Sequence, residues 1–237
     1  MTNSIGKEWR KLLSKVITTG EWVVKDDGDE ILECVDNHCF IRNIIDDVMS
    51  GQPFNLNIFL KLIGNGKFNV EGYPFTDEAL QGYVLQLDDD KQIYNESFVY
   101  TYPERIFNVK EVTRNDEIIS VNQSDIIINR LKEHKGSNRA VATLYIGALD
   151  QWEQHIPCLN WLQCLIRNNE LSLHVMFRSN DLYSAFPSNM LFIQYLGLRI
   201  TEELKAEYPS LHFKGIYYNS TSLHIYRGDY EQAKKLI

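Results

Sequence analysis

The sequence predicts an α+β fold, a mixed β-sheet in the C-terminal half flanked by helices. Three observations predict it. Leu171 to Arg178 alternates apolar and polar residues with the period of a strand that buries one face. Val141 to Leu149 is a run of small and β-branched apolar residues, the pattern of a buried strand. Asn189 to Glu207 turns Leu191, Tyr195, Leu198 and Leu204 inward as a long helix would.

The remaining elements follow in chain order. Residues 4–18 read as an amphipathic helix, because Trp9, Leu12, Leu13 and Val16 share one face. Residues 20–50 read as short strands and turns, with Glu21-Trp22-Val23-Val24 strand-like and Asp26-Asp27-Gly28-Asp29 turn-forming. Leu56 to Ile63 reads as a short helix that Gly64-Asn65-Gly66 breaks. A further helix is expected to start at Ser124-Asp125, run through Ile126, Ile127 and Leu131, and stop at Gly136. Leu223-His224-Ile225-Tyr226 reads as a short final strand. No repeat and no Pro/Gly/Ser-rich linker divides the chain, so residues 1–237 are expected to form a single domain.

Composition bounds the function. Lys plus Arg is 24 against 32 Asp plus Glu, a formal net charge of −8. That argues against broad contact with a nucleic-acid backbone, which needs a basic face, but leaves room for a local phosphate pocket. The start of the chain has no apolar signal core, and no apolar stretch approaches the roughly 20 residues that span a bilayer. Four cysteines do not make a disulfide framework. The expectation is a cytoplasmic protein with free thiols. Cys34 and Cys39 with His38 supply too few ligands for a zinc site, so no metal is expected. Asp88-Asp89-Asp90 reads as a solvated loop.

Two segments carry candidate chemistry. Ile156-Pro157-Cys158-Leu159-Asn160 sets a cysteine just before an apolar run. Most free cysteines are small buried hydrophobes. A nucleophilic one needs a cation or helix dipole nearby to favour the thiolate. Phe177-Arg178-Ser179-Asn180-Asp181 then gathers a cation, a hydroxyl, an amide and a carboxylate where the strand is expected to end at Arg178. Ser, Asn and Asp also suit an ordinary solvated turn. An Arg with an adjacent Ser makes a phosphate clamp: a bidentate fork plus a third donor.

These segments resemble the thymidylate synthase family, which includes the pyrimidine nucleotide hydroxymethylases. The resemblance runs without a gap through Pro157-Cys158, Gln163, Arg178-Ser179-x-Asp181 and Pro187-x-Asn189. Ser222-Leu223-His224-Ile225-Tyr226 resembles the family's terminal His-x-Tyr, and Asn138-Arg139-Ala140 its Ser-Arg-Arg phosphate segment. Phe98 to Arg105 resembles its Tyr-Gly strand turn. The likeness covers roughly residues 98–230, in the family's order, and nothing in the first 95 residues aligns.

The resemblance implies a thymidylate synthase-like fold and a homodimer with shared active sites. It implies one chemistry. A cysteine thiolate adds to C6 of a pyrimidine nucleotide, C5 attacks a one-carbon unit, and C5 then loses its proton. The donor is 5,10-methylenetetrahydrofolate or another one-carbon carrier. Methylation of dUMP leads; hydroxymethylation of a uridylate or cytidylate is the alternative, and a non-catalytic nucleotide-binding protein or a plain α+β interaction protein are rivals from other classes. By position, Cys158 is the implied nucleophile, with Arg178 favouring its thiolate. Arg178 and Ser179 would hold the phosphate, and Arg139 would reach the partner subunit's phosphate. Gln163 falls at the family's substrate-binding position. Asn189 would read the pyrimidine edge; its amide suits uracil O4 and N3–H, where cytosine hydroxymethylases place Asp. His224 and Tyr226 would bind the sugar 3′ hydroxyl. Asp181 would meet the pterin, and Tyr102 would assist removal of the C5 proton.

Three departures stand out. Leu159 replaces the His that usually follows Pro-Cys, and Pro103 replaces the Gly after the turn tyrosine. The chain also stops about ten residues after Tyr226, before the segment that closes over the folate, as in short archaeal-type members. An open site favours either water capture, giving a hydroxymethyl product, or an unusual one-carbon donor. Ribose against deoxyribose, the donor and the pathway stay open at this point.

Overall fold

The chain was analysed as a computed structural model that describes residues 4–43, 56–66, 72–85, 100–112 and 115–237. In chain order, helix α1 (Ser4–Thr19) leads into strands β1 (Glu21–Val24) and β2 (Glu30–Arg42). Helices α2 (Leu56–Gly64), α3 (Asp77–Leu85) and α4 (Tyr102–Phe107) follow, then β3 (Val109–Val112), β4 (Ile118–Val121) and α5 (Gln123–Glu133). The rest is β5 (Val141–Thr143), α6 (Gly147–Asp150), β6 (Leu159–Arg167), β7 (Glu170–Asp181), α7 (Phe186–Leu204), β8 (His212–Tyr226), a 3₁₀ turn and α8 (Tyr230–Lys234). The strands form a six-stranded sheet, β1-β2-β8-β7-β6-β5, and β3 pairs with β4 apart from it. Only β7 and β8 run parallel among the sheet's pairs, because α7 carries the chain back across the sheet between them. The α+β mixed sheet flanked by helices is therefore present.

The helices cover one face of the sheet. Trp9, Leu13 and Val16 of α1 are fully buried, as their spacing predicts. Along β6 the core-facing residues are Leu162, Cys164 and Ile166, and along β7 Leu173, Val175 and Phe177, all at most 2% exposed. The ring of Tyr218 on β8 meets Phe186 of α7 edge-on at 5.1 Å. The opposite face carries Phe40, His174, Met176 and Tyr217. His174 stacks on Tyr217 at 4.5 Å, Phe40 lies 4.7 Å from the same ring, and Met176 is 40% exposed.

The structure corrects several boundaries. The sheet is not confined to the C-terminal half, since β1 and β2 join it through β8. Residues 20–42 form one hairpin whose second strand runs from Glu30 to Arg42, longer than the short strands expected there. Val141 to Leu149 is a strand only as far as Thr143; Gly147 opens α6 instead. β7 does not end at Arg178 but continues to Asp181, because Ser179, Asn180 and Asp181 pair with Ser222, Leu223 and His224 of β8. β8 is not four residues but the whole span His212–Tyr226. The long helix runs three residues earlier than expected, from Phe186 to Leu204, with Pro187 in its first turn, where a missing N–H costs nothing. Asn122, rather than Ser124, caps α5: its side chain accepts from Asp125 N.

Two features shape the sheet and its surroundings. At Gly215 the β7/β8 register shifts and φ is 143°; a Cβ there would lie 2.3 Å from Ile41 O, so only glycine admits β2 at that distance. A buried ion pair, Arg105 to Asp150 at 2.6 Å, ties α4 to α6, and Gln123 bridges Arg105 O and Thr143 O. The pair leaves neither charge uncompensated in the interior, and it fixes α4 beside the segment that leads to Cys158.

Candidate active site

Cys158 stands immediately before β6, opposite Arg178 of β7. Its backbone is fixed by neighbours on both sides: Arg178 N donates to Cys158 O at 2.9 Å, and Leu159 N donates to the Tyr102 hydroxyl at 3.2 Å. The Cys158 Sγ lies 3.6 Å from Ser179 Oγ and 3.8 Å from Arg178 Nη2. The guanidinium spreads over the same loop. Its Nε donates to Pro157 O at 3.1 Å, its Nη2 to Ile156 O at 2.8 Å, and its Nη1 to Ser179 Oγ at 3.1 Å. Arg178 thus binds the loop that carries Cys158; the phosphate clamp expected of it would compete with two carbonyls.

Tyr102 is not on a strand turn. It opens α4, which Thr101 caps by accepting from Glu104 N, and Pro103 fits the first turn of that helix. The departure from glycine at residue 103 is therefore a change of local structure. The Tyr102 ring stacks on Phe192 of α7 at 5.9 Å. Phe98 and Val99 of the same expected motif, and the Asp88-Asp89-Asp90 run, lie outside the described residues.

The polar end of β7 turns into α7 through Asp181. Its carboxylate accepts from Tyr183 N at 3.0 Å, from Ser184 N at 3.1 Å and from the Ser184 hydroxyl. Burial raises its pKa, and these hydrogen bonds oppose the rise. Two aromatics of the N-terminal part pin this turn: Trp9 Nε1 donates to Leu182 O at 2.6 Å and the Tyr73 hydroxyl to Ser184 O at 2.8 Å. Asn189, 6% exposed on α7, donates from Nδ2 to Asn180 Oδ1 at 3.1 Å, and Asn180 Nδ2 donates to the Tyr218 hydroxyl at 3.1 Å. This chain fixes which way the Asn189 amide points.

β8 supplies the third wall. Pairing with β7 sets His224 opposite Asp181, and Leu182 N donates to His224 O at 2.8 Å. His224 is 5% exposed, and burial, with Lys25 and Arg178 adding to it against Glu33, pushes its pKa down to about 4. The ring is neutral near pH 7. The Tyr226 hydroxyl lies 3.4 Å from Lys25 Nζ, on the turn between β1 and β2.

The structure thus brings together Cys158, Arg178, Ser179, Tyr102, Asp181, Asn189, His224 and Tyr226. It does not bring Arg139 or Gln163 to this pocket. Cys164 N donates to Ala140 O at 2.8 Å, which places Arg139 six or so residues along β6 from Cys158, about 20 Å away at strand spacing. Arg139 is exposed there, and Gln163 Nε2 donates to Asn138 O at 2.6 Å, bracing that segment. Sequence reasoning missed Tyr100, whose hydroxyl donates to Ile156 O at 3.2 Å, and also Asn180, Tyr218, Glu33 and Lys25. Tyr100 and Asn180 stood inside quoted motifs; Tyr218, Glu33 and Lys25 join only through pairing that no local pattern announces. Among the described residues, no three His, Cys, Asp or Glu side chains gather closely enough to hold a metal ion, and no helix is long and apolar enough to cross a membrane.

Comparison with known proteins identifies the family. The family model described as thymidylate synthase matches residues 88–237. A protein named "Putative thymidylate synthase" from Methanocaldococcus jannaschii is 30% identical, covering 98% of this chain and 92% of its own. One of the same name from Methanothermobacter marburgensis is 28% identical over 99% of this chain and 96% of its own. One from Methanosarcina mazei is 25% identical over 99% and 92%. A cysteine set beside Arg178 and Ser179, the Asp181 turn, Asn189 and His224 all fall within the matched stretch, and the chain belongs to the thymidylate synthase family.

Proposed function

We propose that the chain transfers a one-carbon unit to C5 of a pyrimidine nucleoside monophosphate, with dUMP methylation as the leading reaction. One observation carries the reading: the Cys158 sulfur lies between the Arg178 guanidinium and the Ser179 hydroxyl, at the sheet end shared by Asp181, Asn189 and His224. A guanidinium at that distance stabilises negative charge on sulfur. The thiolate adds to C6 of the ring and the electron pair moves through C5 toward O4, making C5 nucleophilic. Asn189, held by Asn180, offers an amide to the ring edge, which suits uracil over cytosine. The neutral His224 ring and the Tyr226 hydroxyl meet the sugar. Tyr102, whose hydroxyl accepts from Leu159 N next to Cys158, would assist proton removal at C5.

The Asp181 carboxylate suits a reduced folate. A carboxylate has about four acceptor positions, and Asp181 has three donors from its own turn, so room remains for one ring N–H. When bound, 5,10-methylenetetrahydrofolate would supply the carbon unit and, for methylation, the hydride.

The same reading takes residues 1–237 as one cytoplasmic domain that works as a homodimer. Two observations support the dimer. The sheet face opposite the helices presents Phe40, His174, Met176 and Tyr217. Arg139, too far along β6 to serve its own Cys158, is free to serve a partner's phosphate. Tritium release from 5-tritiated dUMP tests the proposal, with and without methylenetetrahydrofolate and with Cys158→Ser as control. Release that needs both the folate and the thiol supports it. Formation of dihydrofolate then separates methylation from hydroxymethylation. No release from dUMP, UMP, dCMP or CMP rejects the transfer and favours a nucleotide-binding protein.

A further inference from the structure

His224 holds a buried nitrogen with no hydrogen-bond partner, Nε2. Buried polar atoms are nearly always paired, so an orphan at a candidate site points to a missing ligand group. Which group it accepts depends on where the imidazole keeps its proton, and the other side of the ring decides that. Nδ1 lies 3.4 Å from Ser222 Oγ. The Ser222 hydroxyl donates to Glu33 Oε1, across the β2/β8 pairing. A hydroxyl has one proton. Since Ser222 gives its proton to the carboxylate, it can only accept from the imidazole. Nδ1 must then carry the hydrogen, and Nε2 is left with its lone pair.

We propose that Glu33 and Ser222 are positioning residues that lock His224 in its Nδ1–H tautomer, so that Nε2 accepts a hydrogen bond from a ligand hydroxyl. The nature of that hydroxyl, the 3′ group of a nucleotide sugar, rests on the function proposed above. The lock itself rests only on the three side chains. Neutrality of the ring supports it, because a protonated imidazole would have no lone pair to offer. The consequence is selectivity by donor. A sugar that presents O–H satisfies Nε2; one without it leaves a buried acceptor unpaired.

Long-range ¹⁵N–¹H spectra of the unliganded, ¹⁵N-labelled full chain read the tautomer of His224 directly. The expected result is Nδ1–H in the natural sequence and in Ser222→Thr, which keeps the hydroxyl in a strand-compatible residue. Ser222→Ala and Glu33→Ala are expected to shift the ring toward Nε2–H: the first removes the acceptor, and the second frees the Ser222 proton to point at Nδ1. Thermal melts confirm that each variant is folded; should Glu33→Ala not fold, the natural chain and Ser222→Ala decide. Nε2–H in the natural chain overturns the proposal, and so does a tautomer that is unchanged in folded Ser222→Ala. A second readout compares dUMP with 2′,3′-dideoxyuridine monophosphate. The natural chain is expected to favour dUMP about tenfold, because only dUMP offers Nε2 a donor; equal binding of the two nucleotides overturns the assignment of Nε2 to the sugar hydroxyl. If neither nucleotide binds, the nucleotide reading fails while the spectra still decide the lock.

Discussion

Cys158 and Cys164 flank one short stretch of β6 and face different worlds. Cys164 is fully buried in the aliphatic core, and burial alone drives its pKa up. Cys158 sits half-buried just outside the strand, with a guanidinium at 3.8 Å and a hydroxyl at 3.6 Å. The residue type is the same, so the difference lies in what the sheet delivers. In mid-strand, β5 and β7 present only apolar neighbours to the covered face. At the strand end, β7 runs on past the core and carries Arg178, Ser179 and Asp181 out to meet it. What distinguishes the surroundings of Cys158 is the polar extension of the neighbouring strand.

The largest expected effect breaks or confirms that contrast. Cys158→Ala should reduce folate-dependent tritium release by a factor of about 10⁴ or more, the usual scale for a lost nucleophile. Cys164→Ala should leave the rate within about threefold yet lower stability by about 1–2 kcal/mol, since it empties core volume. Urea unfolding beside the rate assay reads both. Equal loss of activity in a folded Cys164→Ala would erase the distinction.

The same contrast explains what could be read from residues alone. The core end of the sheet announced itself: Leu171 to Phe177 alternates, and the α7 positions Leu191, Tyr195, Leu198 and Leu204 are all at most 3% exposed. The polar end hid its structure. Ser179, Asn180 and Asp181 are turn formers, and so are Asn219 to Ser222, yet parallel pairing between β7 and β8 holds both as strand. That pairing is tertiary, and no local pattern encodes it. The chemistry was more legible than the geometry, because Cys158, Arg178, Asp181 and Asn189 keep a recognisable spacing even where strand boundaries do not. Glu33 and Lys25 were silent for the opposite reason: they reach the site only because β1 and β2 pair onto β8.

Acid titration sharpens the comparison next. Burial pushes the His224 imidazole down to about 4 from its ordinary 6.5. Between those values the unfolded chain binds a proton that the folded chain refuses. Stability is therefore whole above about pH 6.5 and is lost as pH falls toward 4, by about 3 kcal/mol at most. Asp181 works the other way at lower pH, because its raised pKa makes the folded chain the better proton binder. His224→Asn should flatten the loss between pH 6.5 and 4 in urea titrations. His174, farther back along β7, is also lowered by burial and adds a loss of the same sign that His224→Asn leaves in place.

Arg178→Lys comes third. Lysine keeps the charge but not the fork, so Ile156 O and Pro157 O cannot both be held while a charge stays at sulfur. We expect about a 10²-fold fall in rate, equivalent to about 2.7 kcal/mol. Alkylation of Cys158 by iodoacetamide should slow about tenfold, while Cys164 reacts only on unfolding in both chains. An unchanged alkylation rate would mean that Arg178 serves phosphate rather than the thiol.

The smallest effect falls on Tyr102. Tyr102→Phe keeps the stack on Phe192 and removes only the hydroxyl that accepts from Leu159 N. Leu159 is fully buried, so its amide loses that partner, at a cost of about 1 kcal/mol. The same amide follows Cys158, and its release lets the sulfur drift from Arg178. The expected outcome is a loss of stability of about 1 kcal/mol together with a rate loss of about tenfold. The two losses travel together if Tyr102 acts by placing the cysteine. They separate if the hydroxyl itself takes part in moving the C5 proton: the rate would then fall by 10² or more with the alkylation rate of Cys158 unchanged. Measuring stability, alkylation and turnover on this one variant therefore tells whether α4 belongs to the chemistry or to the frame that holds Cys158 at the polar end of the sheet.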